Sequence, residues 1–234
     1  IRDSNMAVRN TNDAISLVQT ADGAIVEIEA MVQRMRELAV QARSGTYSTT
    51  DLDAIDVEFE ALTAAIEDIA DDTQWNGTNL LDGSFSAVAF QVGANASQTI
   101  SLTINDFETV PGGSTSVFDN LDAAAFGADG TEDLDSLSLQ SASLANTAIG
   151  HIDNALIKLN SVRATLGSTV NRLEYAADNL SNVSQNTSAS RSRILDADYA
   201  SETTELAKTQ IIQQAATAML SQANQQAQSV LALL

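Results

Sequence analysis

Apolar or small residues recur alternately three and four positions apart near the start of this chain: Ala14, Leu17, Ala21, Ala24, Ile28, Met31, Met35, Leu38 and Ala42. Side chains at that spacing share one face of an α-helix. A seam sustained this long predicts a single helix packed lengthwise on partner helices. Gly45 and the Ser/Thr cluster at 46–50 end it, and Thr50 with Asp53 has the form of a capping box for a second helix. That helix carries Leu52, Ile55, Phe59, Leu62, Ile66 and Ile69 on the same spacing, so the two predict an antiparallel hairpin. The pattern returns at Ile149, Ile152, Leu156, Leu159, Leu166, Val170, Leu173, Ala177 and Leu180, interrupted only by Arg163. A helix over 141–190 would run about 75 Å, far more than a compact globule of 234 residues needs.

Between the seams the period is lost. Trp75-Asn76-Gly77 and Leu81-Asp82-Gly83 are turn signals, and 87–92 and 99–104 are short β-prone runs around Gly93-Ala94-Asn95-Ala96. Residues 105–140 hold eight acids, Pro111-Gly112-Gly113, Gly127 and Gly130, and predict a surface-exposed insert. Asp196-Ala197-Asp198-Tyr199 breaks the third seam. A terminal helix is expected from about Ser201, with Leu206, Ile212, Ala216, Met219, Ala223, Val230 and Leu233 on its apolar side. The expected fold is mainly α: an elongated antiparallel coiled-coil bundle with a small β-hairpin region and a variable insert. Its segments are 1–104, 105–140, 141–190 and 191–234. The chain opens inside what reads as helix, so a preceding portion is expected.

Charge sharpens this division. No Lys or Arg lies between Arg43 and Lys158, and 44–157 holds 19 of the 31 acids, whereas the remainder nets −1. Nucleic acid is a poor partner for such a chain, because phosphate contacts need a basic footprint. The absence of Cys excludes disulfide frameworks, thiolate metal sites and thiol catalysis. No apolar run reaches the roughly 20 residues of a membrane span. His151, the sole histidine, has no triad or His-Glu-x-x-His context and reads as a helix-packing residue. Asp129-Gly130-Thr131-Glu132-Asp133-Leu134-Asp135 offers oxygen ligands but departs from the EF-hand pattern, and reads as a solvated loop. Ser114-Thr115-Ser116 is a candidate O-glycan position. No catalytic residue, metal ligand or cofactor is expected.

Several runs resemble one known family, bacterial flagellin. They include Val8-Arg9-Asn10-Thr11-Asn12-Asp13-Ala14-Ile15-Ser16-Leu17 and Gln33-Arg34-Met35-Arg36-Glu37-Leu38-Ala39-Val40-Gln41. Thr73-Gln74-Trp75-Asn76-Gly77-Thr78, Phe90-Gln91-Val92-Gly93-Ala94, Asn171-Arg172-Leu173, Asn179-Leu180-Ser181-Asn182-Val183 and Arg191-Ser192-Arg193-Ile194 follow in the same order. The resemblance spares only about 105–140. It implies a self-assembling structural subunit of the flagellar filament, exported unfolded through the flagellar channel and extracellular in its final place. The implied partners are other copies of itself, an export chaperone, and cap and junction proteins. Leu17, Ile28, Met35, Ile152, Leu159, Leu173 and Leu180 are the expected assembly seam. The resemblance also implies recognition by the vertebrate Toll-like receptor that senses flagellin, at Arg34, Leu38 and Glu58. The alternatives are a surface adhesion or polysaccharide-binding protein using the insert, and a hook–filament junction protein.

Overall fold

A computed structural model describes residues 2–109, 116–118, 134–195 and 199–231, without the side chains of 136 and 226–231. The described chain is mainly helical. α1 (Arg2–Ala42) and α2 (Thr49–Asp72) are followed by short strands β1 (Gln74–Trp75), β2 (Thr78–Asn79), β3 (Val88–Gln91) and β4 (Thr99–Leu102), then α3 (Ala142–Leu195) and α4 (Tyr199–Leu231). Two compact units divide it, Ile1–Ser184 and Gln185–Leu234.

In the first unit α1, α2 and α3 pack side by side. Cross-links between α1 and α3 pair Arg36 with Asp153, Glu29 with Arg163 and Asn5 with Ser184, so the partner numbers run in opposite senses and the helices are antiparallel. The seam of α1 is Ala14, Val18, Ala21, Ile25, Ile28, Val32, Met35, Ala39 and Ala42, all buried. This corrects two expected positions: Ile25 and Val32 fill the core, while Ala24 and Met31 pack partly at its edge. Both registers are apolar in the sequence, and the helix buries a face wide enough to use most of both. On α2, Thr63 and Ala70 likewise lie deeper than Leu62 and Ile69.

On α3, Ala145, Ala148, Ile152, Ala155, Leu159, Leu166, Thr169 and Leu173 are buried. Val162 completes the heptad between Leu159 and Leu166, so Arg163 flanks the seam and does not interrupt it. Among the expected seam residues Leu17, Ile28, Met35, Ile152, Leu159 and Leu173 are buried, whereas Leu180 is only half-buried. The helix extends to Leu195, beyond the expected 190.

Local signals define the ends. The capping box is Ser48 with Asp51, two residues before the expected pair. Asp51 N–H donates to Ser48 Oγ at 3.3 Å and Ser48 N–H donates to the Asp51 carboxylate at 3.0 Å. That carboxylate is held below its ordinary pKa by those Ser48 contacts. Asn76 and Gly77, at φ 51° and 78°, make the two-residue turn between β1 and β2, where a left-handed backbone suits Asn-Gly. β3 and β4 form an antiparallel hairpin with Val88 opposite Leu102 and Gln91 opposite Thr99. Its loop is laced by Gln91, which donates to the carbonyls of Gly93 and Asn95 at 2.7 Å, and a Cβ on Gly93 would overlap the Gln98 side chain.

The insert root departs from expectation. Phe107, Thr109, Val117, Phe118, Leu134, Leu137 and Leu139 are buried, with Phe107 and Phe118 edge-to-face at 6.2 Å, so both ends of 105–140 pack into the first unit. Residues 110–115 and 119–133, with the Asp129–Glu132–Asp133 run and most of Ser114-Thr115-Ser116, lie outside the described residues. The returning end is held by Asp56 on the buried face of α2. Its carboxylate accepts from Leu139 N–H at 2.6 Å, Gln140 Nε2 at 3.0 Å and Ser138 Oγ at 3.3 Å. Removing a buried acceptor strands its donors, so Asp56→Ala is expected to cost about 2 kcal/mol, measured as a lower denaturation midpoint. A midpoint unchanged by that substitution would show that the clip carries no stability.

Candidate interaction surface

The run at 33–41 alternates between core and surface because helix positions two apart point away from each other. Met35, Leu38 and Ala39 are buried, while Arg34 and Arg36 diverge toward different neighbours. Arg34 crosses to α2: its Nε and Nη2 donate to Glu58 Oε1 at 3.0 and 2.8 Å, and its Nη1 reaches Glu37 Oε2 at 3.0 Å. Arg36 crosses to α3, with Nε donating to Asp153 Oδ1 at 2.6 Å. One turn-pair thus clamps α1 to both partners. The Arg34 guanidinium is raised in pKa first by its hydrogen bond to Glu58, and that of Arg36 by Asp153.

A third clamp lies further along the α1/α3 contact. Arg163 Nε donates to Asp22 at 3.0 Å and its Nη1 to Glu29 at 2.7 Å, and the Glu29 side chain is only 16% exposed. Hydrogen bonding to Asp22 is the main reason its pKa is raised. Sequence reasoning missed this pair, Asp153 and Asp56; the signal available was a charge adjacent to, or on, the apolar face of a seam.

The residues expected to recognise a receptor separate here. Arg34 and Glu58 are joined and half-exposed, with side chains 47% and 48% accessible. Leu38 is 1% exposed, in keeping with its place in the expected apolar seam of α1. His151 is buried on α3. No group of three or more His, Cys, Asp or Glu among the described residues is arranged to hold a metal ion, and no described helix is long and apolar enough to cross a membrane.

Carboxylates gather at the root of the insert. Glu67 of α2 accepts from the N–H and hydroxyl of Thr109, both at 2.6 Å. Asp71, Asp82, Asp106 and Glu108 surround the same spot. Burial, then mutual repulsion, raises the pKa of Asp106 and Glu108, with a backbone bond from Glu108 N–H opposing it at Asp106.

Comparison with known proteins decides the family. The profile of the bacterial flagellin N-terminal helical region matches residues 1–86, and that of the C-terminal helical region matches 149–234. The chain is a bacterial flagellin. It is 40% identical to the flagellin of Bacillus subtilis over its whole length, covering 82% of that protein. It is 39% identical to the flagellar filament 33 kDa core protein of Treponema phagedenis, again over its whole length and 80% of that chain. The crystal structure of Bacillus cereus flagellin matches with a TM-score of 0.58 at 31% identity, covering 78% of this chain and 94% of that one. This flagellin is therefore a structural subunit of the flagellar filament.

The raised Asp106 and Glu108 set a sign. A carboxyl that binds its proton more tightly when folded contributes stability below its unfolded pKa, and loses that contribution as pH rises through the folded value. Stability of the insert root is expected to fall from about pH 4 toward neutrality, and Asp106→Asn to raise the melting temperature at pH 7 and flatten that slope. An Asp106→Asn protein with the parent's melting temperature at every pH would contradict it.

Proposed function

We propose that this filament subunit polymerises by covering, with other copies, the apolar surface its own fold leaves bare. α4 carries this reading. Every described side chain from 199 to 225 is exposed, and Leu206, Ile211, Ile212, Met219 and Leu220 are each more than half so. A helix gains most of its stability from packing an apolar face, and bare apolar surface of this extent marks an interaction site. On this reading the terminal helix joins the inner tube of the filament, outside the cell. The subunit passes unfolded through the flagellar channel, with an export chaperone before it and cap and junction proteins at its destination. Full-length protein lacking 199–234 is expected to form no filaments by electron microscopy after salting out, while the first unit keeps its melting temperature. Filaments of ordinary form from that truncation would refute the reading.

A second partner, the vertebrate Toll-like receptor that senses flagellin, is supported by the exposed Arg34–Glu58 pair. Arginine is among the residues enriched at interface hot spots. Arg34→Ala is expected to weaken signalling in a cell reporter assay by roughly tenfold or more, the scale of one anchor residue. Undiminished signalling would remove Arg34 from the contact.

A further inference from the structure

Cross-links fix which parts of the long helices lie side by side. Arg36 pairs with Asp153 and Asn5 with Ser184, 31 residues apart on α1 and 31 on α3, so one antiparallel register holds between them. Gly23 lies 13 residues from Arg36 and Gly167 lies 14 from Asp153, and the two glycines therefore share a level of the rod. Both are exposed in helix interiors, nothing lies within 4 Å of where a Cβ would sit on either, and neither backbone is left-handed. Neither crowding nor a turn calls for glycine at either place, and each weakens its helix relative to alanine.

Hydroxyl side chains loosen the same level. On α1, Ser16 and Thr20 donate to the carbonyls four residues back, at 3.0 and 2.9 Å. On α3, Thr165 donates to the Ser161 carbonyl at 3.0 Å, and the Thr165 carbonyl accepts from Ser168 and Thr169 at 2.8 and 2.9 Å. Such bonds compete with the helix ladder and bend it, as do adjacent Gly and Ser such as Gly167-Ser168. The covering layer changes here too. α2, tied at Glu58 to Arg34, runs 14 residues further and ends at Asp72, level with Thr20. Beyond that level α1 is flanked by the β3–β4 loop, where Ala94 and Asn95 line one groove with Met6 and Asn10. An open groove of about 410 Å³ along Val18, Leu166 and Gly167 leaves α3 room to tilt. Arg163, one turn from Gly167, holds Asp22 beside Gly23 and so keeps the two helices together.

We propose that this level is a joint: α1 and α3 open and bend there together, so that the part of the rod covered by α2 and the part covered by the β3–β4 hairpin tilt while each stays packed. The Arg163–Asp22 pair is its pin. The joint belongs to the folded monomer and does not depend on the filament reading.

Hydrogen exchange of the full-length monomer tests the joint. Peptides covering 16–24 and 161–170 are expected to exchange severalfold faster than the α1 and α3 seams on either side of them, though more slowly than 199–225. Gly23→Ala is expected to slow exchange about fivefold over 16–24, the difference between glycine and alanine in a helix interior, and to slow 161–170 on the facing helix with it. Gly167→Ala is expected to do the same from the other side, and neither change to alter the flanking seams. Uniform protection along α1 and α3 in the unaltered protein would overturn the joint. Slowing confined to the substituted helix would also overturn it, because the two glycines would then be separate soft spots. Equal slowing throughout the first unit would do so as well, since it would report global stabilisation and no local opening.

Discussion

Every other feature of the first unit depends on the burial of one heptad seam. Ala14 to Ala42 on α1 is buried in one core with the seams of α2 and α3. α1 alone, at 41 residues, spans about 60 Å and has no thick core to fall back on, because aromatics make up only 4% of the chain. Packing stability is therefore spread thinly along the helices. Removal of one large side chain weakens a level and leaves the register intact, since the levels above and below repeat the same instruction.

Polar contacts supply what a repeating seam lacks, a unique alignment. A heptad can slip by seven residues and still bury apolar surface. Arg34 on Glu58, Arg36 on Asp153 and Arg163 between Asp22 and Glu29 are each satisfied in only one register. Asp56 does the same for the chain returning from the insert. Arg34, Arg36 and Arg163 lie between helices, whereas 44–157 holds 19 acids and no Lys or Arg.

Much of this was legible in the sequence. Helix existence, the α1–α2 hairpin, the Asn76-Gly77 turn and the β3–β4 hairpin follow from spacing and turn chemistry. Which apolar register faced inward did not, because Leu17 and Val18, or Leu38 and Ala39, are equally apolar and the helix buries all four. The insert root was read as exposed because Phe107, Phe118 and Leu139 sit in short pieces without a period. Their burial depends on distant partners on α2 and on each other. The Arg163 clamp was hidden by treating a charge within a seam as an interruption when the seam passed through Val162 beside it.

The account makes the first unit complete in the monomer and α4 dependent on other copies. Hydrogen exchange of the full-length protein, compared between monomer and filament, separates the two directly. Slow exchange is predicted at the α1, α2 and α3 seams in both states, with 199–225 exchanging fast in the monomer and becoming protected only in the filament. Equal protection of 199–225 in both states, or fast exchange along the α1 seam in the monomer, would contradict it.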